Sequence, residues 1–195
     1  MDLSEKMFNY RGYTPIPFIL LMIAYACPTG ASLAVGFCIA LAGEAMRLWG
    51  VSVAGTETRT TGRVGGTHLF VDGPFGHVRN PLYVGNMTIY FGVGIMANAL
   101  APYLVLGAMA FFVLQYWLIV KKEEEYLSAT FGEEYGRYVQ AVPRFLPRLS
   151  KYAGEHSFHR DPDLAMGLRS ERRTLQAFSL LIIAMFVLYF VRRGG

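Results

Sequence analysis

The sequence predicts an all-α polytopic membrane helix bundle with about five transmembrane helices. Of the 195 residues, 53% are hydrophobic and only 16% are charged, whereas about a quarter of residues are charged in a soluble domain. The mean hydropathy is +0.33, and several apolar runs follow one another between polar connections. We therefore expect one membrane domain that covers residues 1–195.

The first two predicted spans cover about residues 15–27 and 31–54 and are joined by a short turn without charge. The second span carries Glu44 and Arg47, which lie three residues apart and share one helical face. Two interpretations stay open. The two side chains pair or face a polar interior, or Arg47 extends to the cytoplasmic surface of the membrane.

The third and fourth predicted spans, at about residues 82–97 and 101–120, form a tight hairpin. Each is long enough for roughly 24–30 Å at 1.5 Å per residue. In such a hairpin the start of one span lies beside the end of the other. We expect three glycines in these spans to let helices approach closely; they are Gly92, Gly94 and Gly107.

A Gly- and Pro-rich stretch precedes the third span and ends the polar connection at residues 55–81. It reads Gly73-Pro74-Phe75-Gly76-His77-Val78-Arg79-Asn80-Pro81. Because Gly and Pro interrupt regular structure, we predict a loop up to Asn80, with Pro81 as the first residue of a helix. Polar side chains therefore stand where the membrane begins.

The segment after the fourth span, residues 121–148, begins with Lys121-Lys122-Glu123-Glu124-Glu125. An amphipathic helix is predicted to follow, ended by prolines. Its apolar face consists of Leu127, Phe131, Tyr135 and Tyr138, at spacings of four, four and three. Asp161-Pro162 predicts the start of a last helix. The apolar part of that helix, about residues 175–191, is either a fifth span or an interfacial helix.

The basic residues predict the orientation. The amino terminus, residues 55–81 and residues 121–173 hold 2, 3 and 10 of the 18 Lys and Arg residues, while the two short hairpins hold none. The positive-inside rule places these segments in the cytoplasm, although Arg192 and Arg193 fall on the other side if the fifth span crosses. The same rule explains the net charge of +4, so we expect no nucleic-acid partner.

Six polar side chains could converge at the cytoplasmic mouth of the bundle: His77, Arg79, Asn80, Tyr83, Glu123 and Glu124. Such a cluster could hold a polar cofactor while a lipid approaches sideways between helices. The alternative is that Arg79 only follows the positive-inside rule and that the glutamates form a solvated face with neighbouring lysines. His156 and His159 are an isolated H-x-x-H pair, and both cysteines lie in apolar stretches, so we expect no metal site.

Two blocks of sequence resemble a known family. Gly73 to Gly85 is similar to the G-P-Y-x-Y-V-R-[HN]-P-x-Y-x-G signature of integral membrane methyltransferases. That group joins isoprenylcysteine carboxyl methyltransferases and phospholipid N-methyltransferases. The stretch from Glu123 to Pro147 resembles the family's second block, E-E-x-x-L-x-x-x-F-G-x-x-Y-x-x-Y with a V-P-x-x-x-P ending. The joint order and spacing of the two blocks make the resemblance specific.

The resemblance implies S-adenosylmethionine as the methyl donor, bound in a pocket at the cytoplasmic ends of the third and fourth spans. The residues carried over as cofactor-binding are His77, Arg79, Asn80, Pro81, Tyr83, Gly85, Glu123 and Glu124. Arg79, Asn80 and Glu124 are the expected catalytic residues. Carboxylates suit the ribose hydroxyls or the amino group, and Arg79 suits a carboxylate or an anionic head group.

The methyl acceptor implied by the resemblance is a membrane lipid or a lipidated small molecule. Asn80 stands where the prenylcysteine branch has His, and Gly76-His77 replaces a pair that usually ends in Tyr. Asn occurs at this position in the phospholipid branch, which favours an amine or lipid acceptor over a prenylcysteine carboxylate. A base for an amine would be Glu123, Glu124 or His77. Two other classes stay open: a sterol-type membrane reductase with a nicotinamide cofactor, and a non-catalytic membrane protein.

Overall fold

The computed structural model describes residues 3–55, 67–155 and 158–194. Within these ranges the chain forms helices and no strands. The helices are α1 (Leu3–Tyr10), α2 (Pro15–Ala24), α3 (Gly30–Ala54), α4 (Pro81–Ala97), α5 (Tyr103–Ala141) and α6 (Leu164–Gly194), with a short 3₁₀ helix at Gly73–Gly76. The predicted all-α membrane bundle is confirmed, and Pro81 begins α4 as expected.

Among the described residues, three helices are long and apolar enough to cross a membrane: α3, α5 and α6. α2 has 10 residues, so its length is about 15 Å at 1.5 Å per residue. α4 has 17 residues and packs along α3 over most of its length. Each predicted span overlaps one of the helices α2 to α6, and the number and the bounds of the five spans stay predictions.

Close packing of α3 against α4 depends on glycines at the contact. A Cβ atom on Gly43 would lie 2.7 Å from the carbonyl oxygen of Gly85, and one on Gly92 would lie 2.6 Å from a carbonyl oxygen of α3. A Cβ on Gly94 would meet a side chain of α5 at 2.9 Å. The expectation for Gly107 is wrong, because nothing lies within 4 Å of its Cβ position.

We expect Gly43→Ala to lower the free energy of unfolding by about 1–3 kcal/mol, because the added methyl group forces two packed backbones apart. Gly107→Ala is the matched control, since it adds the same methyl group at an open position of a helix. It should leave stability unchanged or raise it slightly. Thermal unfolding of both variants in the same detergent compares them, and equal midpoints would contradict the packing argument.

α5 continues well beyond the apolar region and builds a second, smaller core. The predicted face of Leu127, Phe131, Tyr135 and Tyr138 packs against Leu69, Val71, Val142 and Tyr152. This confirms the amphipathic helix, although the structure joins it to the fourth apolar run as one helix of 39 residues. Gly132 interrupts the helical geometry with a φ of 50°, a conformation that glycine adopts without steric cost.

α6 runs antiparallel to α3 along the bundle. Gly167 contacts Ser52 near one end, and the Tyr189 hydroxyl lies 3.6 Å from the Cβ position of Gly30 near the other. The helix begins at Leu164 and is capped by Asp163, whose Oδ1 accepts from the Met166 amide at 2.9 Å. The predicted cap at Asp161-Pro162 is therefore wrong by two residues, because Asp163 is the side chain that reaches the first turn.

Candidate functional site

A cavity of about 720 Å³ opens where α4 begins and α5 leaves the apolar core. Six of the eight predicted cofactor-binding residues line it: Arg79, Asn80, Pro81, Tyr83, Glu123 and Glu124. They come from the start of α4 and from the middle of α5, the two places that the hairpin argument brings together. Charged side chains of α3 and α6, which the sequence did not assign to the site, line the same cavity.

Arg79 joins the loop before α4 to the end of α5. Its Nε donates to Glu124 Oε1 at 3.0 Å, and its Nη1 donates to the carbonyl oxygens of Val139 at 3.0 Å and Val142 at 2.7 Å. The last carbonyl groups of a helix lack partners within the helix and favour a cation. Arg79 therefore caps α5 and fixes the position of Glu124 at once.

Glu124 lies between two guanidinium groups. Arg79 Nη2 is 3.0 Å from its Oε1, and Arg144 donates from Nε to Oε1 at 3.1 Å and from Nη2 to Oε2. Side-chain exposure is 10% for Arg79 and 13% for Glu124, so these charge-assisted bonds are partly shielded from water. The sequence did not single out Arg144, which occupies a variable position of the V-P-x-x-x-P ending.

Glu123 has a different environment, although it is the neighbour of Glu124. Its Oε1 accepts from the Tyr83 hydroxyl at 2.7 Å, and the Tyr83 ring packs on the Tyr116 ring with centroids 4.8 Å apart. Burial raises the pKa of Glu123 to about 7, and the bond from Tyr83 and the charge of Arg11 oppose that rise. Glu123 is therefore a carboxyl group that titrates near neutral pH.

The raised pKa of Glu123 predicts a pH dependence of stability. Its pKa is about 7 in the folded chain and 4.5 as the ordinary value, so the folded state binds a proton more tightly. The stabilising contribution is therefore complete below about pH 4.5 and is lost as the pH rises through 7. The midpoint of thermal unfolding should decrease more between pH 5 and pH 8 for wild type than for Glu123→Gln. Equal decreases for the two proteins would contradict the raised pKa of Glu123.

The other predicted residues have structural contacts. Asn80 Nδ2 donates to the Arg144 carbonyl at 3.2 Å. His77 does not line the cavity; its Nδ1 lies 3.0 Å from the Arg148 carbonyl oxygen, so it fastens the segment after α5. Gly85 faces α3, where its Cβ would lie 2.6 Å from Arg47 Cγ. Asn80 and Pro81 therefore shape the cavity wall, while His77 and Gly85 support it from outside.

A buried ionic cluster forms the side of the cavity nearest α3. Arg47 Nη2 donates to Glu171 Oε2 at 2.9 Å, its Nη1 donates to Asn86 Oδ1, and its Nε is 3.9 Å from Glu44 Oε2. Arg47 therefore pairs inside the bundle rather than extending to the membrane surface. Two charges within one apolar span indicate such an internal pairing of Arg47. Glu171 was not predicted as a partner, because it stands in a charged stretch that looks solvated in the sequence.

Aromatic rings complete the cavity. Phe70 and Phe75 precede α4, with ring centroids 6.2 Å apart, and Tyr126 and Tyr135 of α5 line the cavity with them. The Tyr138 hydroxyl donates to the Phe75 carbonyl at 2.7 Å and so ties these walls together. Flat apolar walls beside carboxylates suit a ligand that combines an aromatic base with hydroxyl and ammonium groups.

Of the H-x-x-H pair, only His159 lies within the described residues, and its Nδ1 is 3.2 Å from Asp72 Oδ2. In residues 3–55, 67–155 and 158–194 no group of three or more His, Cys, Asp or Glu side chains is placed to hold a metal ion. The His159 contact belongs to the loop at Asp72, which also receives Lys151 Nζ at 3.2 Å.

Fold and site together define a polytopic membrane protein with a charged and aromatic cavity at one end of a helix bundle. The chain belongs to the phospholipid methyltransferase family, whose pattern matches residues 31–134. This range covers more than half of the chain, and it includes α4, nearly all of α3, and the site residues Glu123 and Glu124.

Two relatives are similar to part of the chain. The cobalt-zinc-cadmium resistance protein CzcN of Cupriavidus metallidurans is 35% identical over 113 residues, which are 57% of this chain and 47% of that protein. The nickel-cobalt-cadmium resistance protein NccN of Alcaligenes xylosoxydans xylosoxydans is 35% identical over 92 residues, which are 47% of this chain and 42% of that protein. Less than half of either relative is therefore matched. No solved structure matches the chain.

Proposed function

We propose that the protein is an S-adenosylmethionine-dependent methyltransferase that acts on a lipid or lipid-like acceptor within the membrane. The observation that carries this proposal is the convergence of the two sequence blocks on one cavity. Tyr83 bonds Glu123, and Arg79 bonds Glu124. Membership of the phospholipid methyltransferase family supports the same reaction class. From the distribution of Lys and Arg, we propose that the cavity faces the cytoplasm.

The residues of the cavity fit such a cofactor. We assign Glu123 to bind the hydroxyl or amino groups of the cofactor. The hydrogen-bond partner of Glu123 Oε1 is the neutral hydroxyl of Tyr83, so the negative charge of Glu123 is not neutralised by this bond. Glu124 is already held by Arg79 and Arg144, so we assign it to keeping the site in shape rather than to direct contact. We assign the aromatic pair Phe70 and Phe75, whose ring centroids are 6.2 Å apart, to contact with the adenine ring.

When bound, S-adenosylmethionine supplies a methyl group that is already activated on a sulfonium, so no metal is needed for this chemistry. The chain must hold the acceptor near that methyl group and exclude water. The rings of Tyr83 and Tyr116 face the apolar core and provide the dry side of the cavity. For an amine acceptor, Glu123 is the carboxyl group with a pKa suited to accept a proton at neutral pH.

Labelled methyl transfer tests this proposal. The purified full chain is reconstituted in vesicles of bacterial membrane lipids and incubated with S-adenosylmethionine that carries a labelled methyl group. We expect a labelled lipid, and a loss of binding and transfer in Tyr83→Phe. Glu125→Gln, at an exposed neighbouring position, is the control. Absence of cofactor binding in both detergent and vesicles would overturn the proposal. Binding of a nicotinamide cofactor instead would favour the reductase class.

A further inference from the structure

Two large apolar side chains are uncovered on the segment that follows α5. Leu146 is 80% exposed and Leu149 is fully exposed, and the partly buried Phe145 precedes them. Neither leucine belongs to a hydrophobic core. A single exposed leucine is common on a protein surface, whereas a group of exposed apolar side chains indicates an interaction surface. We refer to residues 143–149 as the strap.

Hydrogen bonds fasten the strap to the loop that ends where α4 begins. The Arg79 amide donates to the Pro143 carbonyl at 2.9 Å, and the Arg148 amide donates to the His77 carbonyl at 2.9 Å. Pro143 and Pro147 have fixed φ angles, which stiffen the strap further. The two exposed leucines lie between or directly beside these fixed points. The backbone therefore has little freedom to turn them towards the protein.

The same loop shows where the strap lies relative to the membrane. It ends at Pro81, the first residue of α4, and α4 packs along α3 in the apolar bundle. On α3, the Trp49 ring centroid is 5.9 Å from that of His77, and Trp49 is 41% exposed. Tryptophan is enriched at membrane–water interfaces. The start of α4 and the position of Trp49 thus both place the strap at the level of the lipid head groups.

Basic side chains flank the exposed leucines. Arg148 directly precedes Leu149, and Lys151 follows two residues later. Lys151 pairs with Asp72 at 3.2 Å, but its side chain is still 56% exposed. Segments that lie in a membrane interface combine apolar side chains, which enter the boundary of the acyl chains, with cations that meet the lipid phosphates. The chemistry of the strap therefore fits a lipid surface.

We propose that the strap is a membrane anchor, in which Leu146 and Leu149 insert into the leaflet where α4 begins. The partner of this surface is the lipid itself. The strap also carries Arg144, whose Nε donates to Glu124 at 3.1 Å in the cavity wall. Insertion therefore holds Arg144 in place and connects the membrane surface to the cavity. This inference goes beyond the proposed function, because it requires only that the bundle lies in a membrane.

Quenching by brominated lipid tests the insertion. An environment-sensitive fluorophore is attached to Leu146→Cys or Leu149→Cys, each in the full chain with Cys27→Ala and Cys38→Ala, in nanodiscs of phosphatidylcholine and phosphatidylglycerol. Brominated acyl chains should lower the fluorescence about twofold or more, because interfacial apolar groups lie about 5–10 Å inside the head-group boundary. Ser128→Cys, at an exposed position on the polar part of α5, is the control and should keep its fluorescence.

Two results of this experiment would overturn the proposal. The first is fluorescence at both leucine positions that brominated lipid leaves unchanged while the probes stay in contact with water. The second is shielding of the probes from water without quenching by lipid, because a second copy of the chain or another protein would then cover the leucines.

Trypsin cleavage gives a second measure that needs no attached probe. In the same nanodiscs, cleavage after Arg148 and Lys151 should increase about tenfold in Leu146→Asp/Leu149→Asp, because aspartate strongly disfavours the membrane. Leu146→Phe/Leu149→Phe is the matched control and should stay protected like wild type. Equal cleavage of all three proteins would contradict the anchor. Thermal unfolding in detergent checks that both variants fold, and this comparison still decides if the cysteine-free chain does not.

Discussion

Arg47→Met is expected to lower the free energy of unfolding by about 3–5 kcal/mol, because it removes the cation shared by two buried carboxylates. Glu171 loses its bond at 2.9 Å, and Glu44 loses the guanidinium that lies 3.9 Å away. Methionine fills a similar volume, so the loss reports charge rather than a cavity. Thermal unfolding in a mild detergent measures it, and we expect little folded protein at growth temperature.

A rescue variant separates charge from packing at this cluster. In Glu44→Gln/Arg47→Met/Glu171→Gln all three charges are absent, so no buried carboxylate is left unpaired. We expect most of the stability to return, because a neutral set of similar volume often replaces a buried ionic cluster without loss. A triple variant no more stable than Arg47→Met would show that Arg47 stabilises the bundle through packing, and would contradict this explanation.

Glu124→Gln is expected to weaken S-adenosylmethionine binding by about 100-fold, or about 3 kcal/mol. The substitution leaves Arg79 and Arg144 close together without the carboxylate that joins them. Arg79 also holds the carbonyl groups of the last turn of α5. When the two cations repel each other, the end of α5 moves away from the loop before α4, and the cavity widens where the cofactor is proposed to bind.

The neighbouring glutamate provides the control for this experiment. Glu125→Gln makes the same chemical change one residue further along α5, at an exposed position, and should bind the cofactor as wild type does. Equilibrium binding of labelled cofactor to both purified variants gives the comparison. Similar affinities for the two variants would mean that the pair of arginines does not need Glu124 to hold the site. Binding lost equally in both would point to a general effect on α5.

Much of the site is predictable from sequence, because the hairpin of α4 and α5 follows from local rules alone. Two apolar runs joined by a short turn bring Arg79 and Tyr83 beside Glu123 and Glu124, and the structure has these contacts. The same reasoning also assigned His77 to the site, but His77 does not line the cavity, because motif membership does not tell which side of a loop faces a cavity. That distinction depends on the segment after α5, which occupies the His77 side.

Long-range ionic pairs escaped prediction for a physical reason. Glu171 stands among Arg169, Arg172 and Arg173, and in sequence such a stretch looks like a solvated helix surface. Its pairing with Arg47 follows only once α6 lies antiparallel to α3. Glu44 and Arg47 were easier to recognise, because charges within an apolar span are rare and costly.

The passage of α5 out of the apolar region divides the protein between two solvents. The larger core contains Phe112, Tyr116 and Ile119, and it lies in the apolar part of the bundle, which lipid surrounds. The smaller core around Tyr135 and Tyr138 lies beyond the charged residues, where the hydrophobic effect of bulk water stabilises it. Urea should therefore loosen the smaller core first, whereas a harsh detergent should first separate α3 from α4. The proposed cofactor cavity lies at the boundary and depends on both cores.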